Sequence, residues 1–298
     1  MHNSVKYMKM KLSVVLATRN EEENIARCLE SVKKIFADLP AGEAGEIIVF
    51  DEYSTDNTKK IAESFDAKVF LEPHHDIFHI TKQKAIDTAK GEWVLQMDAD
   101  EVVSEELAKQ ILQITNNQHP IINNNPLFER HQKLIEERDG KIGKDTGEIV
   151  AYFIPRRNMF LGKPLIHAGV YPDGVIRLIK KGKAYLPAKS VHEQMVIDGR
   201  VGWLSGDLLH YDSPTLARYL SRLNRYTDLH AQELKSSKLK KNVWSFLQFT
   251  ILHPTYYFLL RYVRHGGYKD GVNGFLWSFF SALHFPIAYF KYVTDNKK

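Results

Sequence analysis

Residues 92–101, EWVLQMDADE, are the stretch on which the fold turns. Glu92–Met97 is an apolar run of strand length that stops abruptly at Asp98. Ser104 then supplies a helix cap, with Glu105 and Glu106 where a helix dipole favours negative charge. Leu107, Ile111 and Leu112 follow on one helical face. The same pattern recurs upstream. Lys11–Thr18 reads as a buried strand, followed by Asn20 as an N-cap, Glu21, Glu22 and Glu23, and a helix with Ile25, Cys28, Leu29, Val32 and Phe36 inward. Glu46–Phe50 is a second strand, ending at Asp51, and Ser54-Thr55-Asp56 leads into a helix carrying Ile61 and Phe65. Ala67–Leu71 is a third strand, and Thr81–Ala89 a helix closed by Gly91. Strands alternating with helices predict an α/β fold around a mostly parallel, doubly wound sheet. Such sheets take ligands beyond the carboxyl ends of their strands, where Thr18, Asp51 and Asp98 fall.

Downstream the pattern changes. Residues 116–150 are polar and read as an insertion or flexible loop, residues 151–211 as short β-runs between turns, and the chain from Pro214 as helical. The expected organisation is a domain over 1–212, with an α/β half at 11–112 and a short-stranded half at 151–212, followed by a helical region over 213–298. The last 86 residues hold 13 Lys and Arg against 4 Asp and Glu, and 18 of the chain's 34 aromatic residues. The preceding 212 hold 28 against 32, so a basic, aromatic tail follows a mildly acidic body.

With 44% hydrophobic and 26% charged residues, the 298-residue chain is globular rather than disordered or collagen-like. One cysteine, Cys28, excludes an intramolecular disulfide framework and a Cys-rich zinc site, and points to a reducing compartment. No signal peptide is expected in the opening residues. Two uncharged segments, Val243–Leu260 and Gly271–Phe290, approach the length of a membrane span, but Gln248, His253, Pro254, Asn273, His284 and Pro286 interrupt them. They read as interfacial or re-entrant helices, held at the anionic cytoplasmic face of the inner or plasma membrane; the alternative is a soluble helical subdomain that packs its aromatics into a core or dimer contact. The aromatics form uncharged blocks rather than alternating with Lys and Arg, so no nucleic acid partner is expected.

Asp98 and Asp100 are two carboxylates at i and i+2 on a turn, an arrangement that can converge on Mg²⁺ or Mn²⁺ bridging a phosphate-bearing substrate. Standing alone, such a turn would be a solvated acidic cap; its place in an α/β series favours the metal. Asp51, at a strand end, suits a hydrogen bond from a base N–H, while Asp56 suits a helix cap. Arg177 and Lys180 are either phosphate contacts or the solvated face of a strand.

Together, SVVLATRNEEENIARCLESV (13–32), EIIVFDEYSTDNT (46–58) and KQKAIDTAKGEWVLQMDADE (82–101) resemble the family-2 glycosyltransferases with a GT-A fold. That resemblance implies Asp51 on the nucleotide base and Lys82 on base or phosphate. It places Asp98 near ribose and metal, Asp100 as the principal metal ligand, and Thr18, Asn20, Glu21 and Ala99 along the nucleotide-sugar. Glu52-Tyr53 stands where the family has Asp-Gly, and Arg19 where Tyr is common. HAGVYPDGVIRLIKKGKAYL (167–186), SVHEQM (190–195), GDLLHYDSPTLARYLSRLNRYT (206–227) and the aromatic, basic tail over 262–293 resemble the bacterial branch similar to lipopolysaccharide-core β-glucosyltransferases. This implies Glu193 as the base that activates the acceptor hydroxyl, with His192 beside it, and makes 11–112 the nucleotide-binding half and 151–212 the acceptor half. His210, in LLHYD, is either a contact to metal or diphosphate or a hydrogen-bonded core histidine. The expected activity is inverting, metal-dependent hexosyl transfer from a nucleotide-sugar, with UDP-sugar favoured, to a lipid-linked or lipopolysaccharide-type glycan. A sugar-phosphate nucleotidyltransferase is the rival enzyme, disfavoured because ATRNEEEN replaces a Gly-rich basic phosphate loop. An inactive membrane-bound scaffold is the non-enzymatic alternative.

Overall fold

The computed structural model describes residues 8–118, 125–187 and 194–295. In chain order its strands are β1 (Lys9–Thr18), β2 (Glu43–Asp51), β3 (Lys68–Leu71), β4 (Trp93–Met97), β5 (Glu101–Val103), β6 (Ile149–Ile154), β7 (Arg156–Phe160), β8 (Lys163–Pro164), β9 (Val175–Lys180), β10 (Ala184–Tyr185), β11 (Val196–Ile197), β12 (Arg200–Trp203) and β13 (Leu208–Ser213). The α-helices are α1 (Ile25–Ala37), α2 (Thr58–Ser64), α3 (His79–Thr88), α4 (Glu105–Thr115), α5 (Pro126–Asp139), α6 (Leu216–Ser236), α7 (Val243–Leu247), α8 (His253–Leu259) and α9 (Gly271–Thr294). They fall into two compact units. The first takes the chain up to Arg156 together with Pro172–His210; the second takes Arg157–Tyr171 and the chain from Tyr211 onward.

The first unit is the expected α/β fold. A seven-stranded sheet runs β12-β6-β9-β4-β1-β2-β3, with β4, β1, β2 and β3 mutually parallel and β9 antiparallel to both of its neighbours. Successive side chains of a strand point to opposite faces. Leu12, Val14 and Leu16 of β1 accordingly join Ile25, Leu29 and Val32 of α1 and Leu107 and Ile111 of α4 in one core. Val15, Ile48 and Val94 join Ala85 and Ile86 of α3 in the other. Cys28 is fully buried, and burial pushes its thiol well above its usual range, as befits a packing residue.

Three expectations need correction. The polar stretch 116–150 contains a helix, α5, started by Asn125, whose side chain accepts from Leu127 N at 3.0 Å, and by Pro126 at its first position. Asn20 does not cap α1. That helix begins at Ile25, and Asn20 sits at φ 55°, its Oδ1 accepting from Thr55 N at 2.8 Å, so it ties the turn after β1 to the turn after β2. Gly91 does not close α3, which ends at Thr88; a Cβ at Gly91 would lie 2.5 Å from Ser13 N, so the glycine permits close backbone approach to β1.

Besides its helices the second unit holds the last residues of β13 and the β7–β8 hairpin, in which Met159 pairs with Pro164 and Phe160 with Lys163. Phe160, Leu165 and Tyr219 form one small core with Leu276, Trp277 and Phe280. Leu234, Phe249, Tyr289 and Tyr292 form another. Lys291 Nζ fastens α9 to α6 through Asn224 O, Asn224 Oδ1, Thr227 Oγ1 and Asp228 Oδ1, all at 2.7–2.8 Å. π-Helical turns over Gln248–Leu252 and Leu260–Arg264 flank α8. Among the described residues no helix is long and apolar enough to cross a membrane.

Candidate active site

The site is built where parallel strands end together. Thr18 pairs with Asp51 across β1 and β2, and Leu16 with Met97 across β1 and β4, so Asp98 emerges beside them. Asp51 is 1% exposed, and its carboxylate organises the turn that follows. Oδ1 accepts from Ser54 N at 2.8 Å; Oδ2 accepts from Ser54 Oγ at 2.5 Å and Thr18 Oγ1 at 3.3 Å. Glu21 N donates to Thr58 Oγ1 at 2.7 Å, and Glu22 N to Asp56 Oδ2 at 3.1 Å. Asp56 Oδ1 also accepts from Thr58 N at 2.9 Å, so it starts α2 as its sequence position suggested. Glu52, next to Asp51, is buried and accepts from Thr81 Oγ1 on α3 while facing His74 Nδ1, each at 2.6 Å.

Lys82, on α3, reaches Asp98 Oδ1 at 2.5 Å and lies 4.7 Å from the Phe78 ring centroid. Burial lowers the Lys82 pKa, against the attraction of Asp98. Arg177 comes from β9, whose antiparallel register puts Leu178 opposite Leu95 of β4. Its guanidinium spans Asp98 Oδ2 at 2.5 Å, Glu101 Oε1 at 2.8 Å and the side-chain carbonyl of Gln96. Burial pushes the Asp98 carboxyl up, but the charges of Arg177 and Lys82 prevail and hold it well below the carboxylate range. Glu101 is fully buried, accepts from Asp98 N at 2.9 Å and lies 3.8 Å from Arg156, which pairs with Asp173 at 2.8 Å.

Asp100 differs from its neighbours. Lys82, Arg156 and Arg177 are committed to Asp98, Glu101 and Asp173, whereas the ion pair of Asp100 is with His210, Oδ2 to Nε2 at 3.5 Å. His210 is brought there by β13, which pairs antiparallel with β5 so that His210 lies opposite Glu101. Burial opposes the charge on both groups, yet their mutual bond lowers the Asp100 pKa and raises that of His210.

The structure therefore brings together Thr18, Asn20, Glu21, Asp51, Lys82, Asp98, Ala99, Asp100 and His210 at one sheet edge. His192 and Glu193 lie outside the described residues. Asp207, a further carboxylate, is buried, and its carbonyl receives Ser104 N at 3.2 Å. Lys180 pairs with Glu148 at 2.5 Å, away from phosphate chemistry. Sequence reasoning gave Arg177 two readings, phosphate contact or solvated strand face; it is instead 8% exposed and locks the acidic turn. Glu101 and Glu52 were not singled out as site residues. A glutamate directly after the acidic pair was a signal for the first, but its partner depends on β4–β9 pairing. No group of three or more His, Cys, Asp and Glu arranged to hold a metal is found among the described residues. The Asp100 carboxylate is an oxygen donor of the kind Mg²⁺ or Mn²⁺ takes, with substrate phosphates and water to complete the coordination, whereas the His210 imidazole is a nitrogen donor that hard Mg²⁺ seldom takes.

A family model described as glycosyl transferase family 2 matches residues 13–164, just over half of the chain. The chain is 26% identical over 283 residues to the lipopolysaccharide core biosynthesis glycosyltransferase LpsC of Rhizobium meliloti (strain 1021), covering 93% of this chain and 89% of that relative. An uncharacterised glycosyltransferase of Rickettsia bellii (strain RML369-C) is 38% identical over 110 residues, 37% of this chain and 34% of its own. Among solved structures, a mannosyltransferase from Pyrobaculum calidifontis, crystallised with GDP-Man and Mn²⁺, gives a TM-score of 0.46 at 14% identity, covering 96% of this chain and 88% of the other. Residues 1–349 of TarS from S. aureus give 0.39 at 18% identity, covering 92% and 81%.

Proposed function

The chain belongs to glycosyl transferase family 2, and from that premise we propose that it moves a hexose from a nucleotide-sugar, UDP-sugar in the first instance, to a lipid-linked or lipopolysaccharide-type glycan with inversion at the anomeric carbon. The observation that carries the reading is the sheet edge at which buried Asp51 and the Asp98–Ala99–Asp100 turn flank the end of β1, with Asp100 paired to His210. Asp51 and the turn it organises hold the base and ribose, with Thr18, Asn20 and Glu21 shaping that wall. Lys82 lies close enough to the Asp98 turn to meet phosphate. Asp100, paired with His210, would hold Mg²⁺ or Mn²⁺, which when bound stabilises negative charge on the departing diphosphate.

Inverting transfer also needs a base to take the proton of the acceptor hydroxyl while that oxygen attacks the anomeric carbon. Glu193 is assigned that role, with His192 orienting it. Exposed apolar side chains in the second unit support action at a membrane surface: Val243, Trp244, Ile251, Tyr256, Leu259 and Val263 are each half exposed or more. The unit that carries them is basic, which suits a peripheral position on an anionic leaflet.

Glu193→Gln tests the chemistry. Turnover is expected to fall by about 10²–10⁴-fold, while donor binding, read separately by calorimetry, changes little. Loss of donor binding with normal turnover of bound donor would move the base elsewhere, to Asp207 or Asp173.

A further inference from the structure

We propose that the helical unit carries a second ligand site, a cavity that takes the phosphate-bearing head of an amphiphile. The cavity holds about 430 Å³, a volume in the range of small-molecule sites. It lies among α6, the α8 segment and α9, with Asp212 and Ser213 at the end of β13, and all of its walls belong to the one unit. Its apolar lining comes from Leu223, Phe285 and the rings of Tyr219, Tyr257 and Trp277.

The charge balance inside is what identifies the ligand. Arg222 is paired with Asp212, so the two cancel. His284 stacks on His230 with ring centroids 5.0 Å apart and Nε2 3.0 Å from His230 Nδ1; burial and the neighbouring His230 lower its pKa, so it adds no cation at neutral pH. Arg261 is left over. Its guanidinium makes one long contact, 3.4 Å to Ala168 O, and among the described residues no carboxylate is within ion-pairing distance. Burial lowers its pKa, with only the hydroxyls of Tyr219 and Tyr257 opposing. Arg261 sits on the π-helical turn Leu260–Arg264, a distortion frequently found where a helix serves a functional site.

The partly buried guanidinium is a donor, so its missing partner is an acceptor, and the uncancelled charge requires an anion. Guanidinium geometry matches phosphate oxygens. An anion alone would leave the apolar walls against water, which is why the ligand needs an apolar portion beside its head. The site does not depend on the transfer reaction.

Calorimetric titration of the full chain tests the site with three probes: dihexanoyl phosphatidic acid, inorganic phosphate, and octyl glucoside as an uncharged amphiphile. Phosphatidic acid is expected to bind at least tenfold more tightly than either other probe, roughly the worth of one charge-assisted contact. Arg261→Gln should weaken it by about 10- to 100-fold, to the level of octyl glucoside, and Arg261→Lys should restore part of the loss. Equal affinity for octyl glucoside, equal affinity for free phosphate, or unchanged binding in Arg261→Gln would overturn the proposal. Titrating the wild-type chain with nucleotide-sugar and Mn²⁺ in parallel reads the transfer reaction separately, so failure of one leaves the other standing.

Discussion

Arg177 carries more of the site than any other single cation. It is buried with Glu101, which has no exposed surface, and it bridges Glu101 to Asp98. Burial would favour its neutral form, but the two carboxylates hold its pKa above the usual arginine value. Removing one partner of such a group leaves charge uncompensated in a poorly hydrated place, typically at about 3–5 kcal/mol. Arg177→Met is therefore expected to destabilise the chain by about that amount in urea denaturation, and Arg177→Lys to recover only part of it, because an ammonium cannot span three acceptors as a planar fork does. A loss below about 1 kcal/mol for Arg177→Met would mean the acidic turn is held by something else. The residue's part could not be read from GVIRLI, since nothing local in that strand says which side of β4 it pairs with.

At the scale of elements, the strands β1, β2 and β4 were legible because each is an apolar run cut off by a polar turn, and the turns named Asp51 and Asp98 directly. Helix α5 was not legible: only Phe128 and Ile135 of its fourteen residues are buried, while Leu127 and Leu134 face solvent, so no continuous apolar stripe marked it. Long-range polar ties were equally hidden. Glu46 on β2 is one of them. It accepts from Ser13 Oγ of β1 at 2.7 Å, Lys68 Nζ of β3 at 2.7 Å and Lys90 N ahead of β4 at 2.7 Å, clamping four strands at one end. Burial pushes the Glu46 carboxyl up, but these bonds prevail and lower its pKa below the ordinary 4.5. A carboxyl whose pKa is depressed by folding adds stability above its unfolded value and loses it as pH falls through the folded value. The wild type should thus exceed Glu46→Gln in urea midpoint at pH 7, and the gap should close as pH is lowered from 5 to 3. A gap that stays constant across that range would show that ionisation of Glu46 contributes nothing.

At the scale of the whole molecule, the chain joins an α/β unit with an acidic sheet edge to a basic helical unit rich in exposed aromatics. Each basic residue near an anionic surface contributes about 1 kcal/mol, and salt screens that share without touching burial of Trp244 or Tyr256. Sedimentation with anionic liposomes should therefore retain the protein at low salt and release only part of it at high salt. Protein that stays in the supernatant with anionic and neutral liposomes alike would remove the membrane from the account. The α/β class, the family and the acidic residues at the sheet edge were all within reach of the sequence, because they rest on local motifs. The charge locks around Asp98 and the cavity beneath Arg261 were not, because they arise from pairing between distant segments. The central claim is that Asp100 anchors the metal on which sugar transfer depends. Its most direct test is release of nucleoside diphosphate from UDP-, GDP- and dTDP-sugars, followed with and without Mn²⁺ for the wild type and Asp100→Asn. The account predicts Mn²⁺-dependent release by the wild type from at least one donor, and none above background from a folded Asp100→Asn; wild-type rates in that variant at controlled metal levels would contradict it.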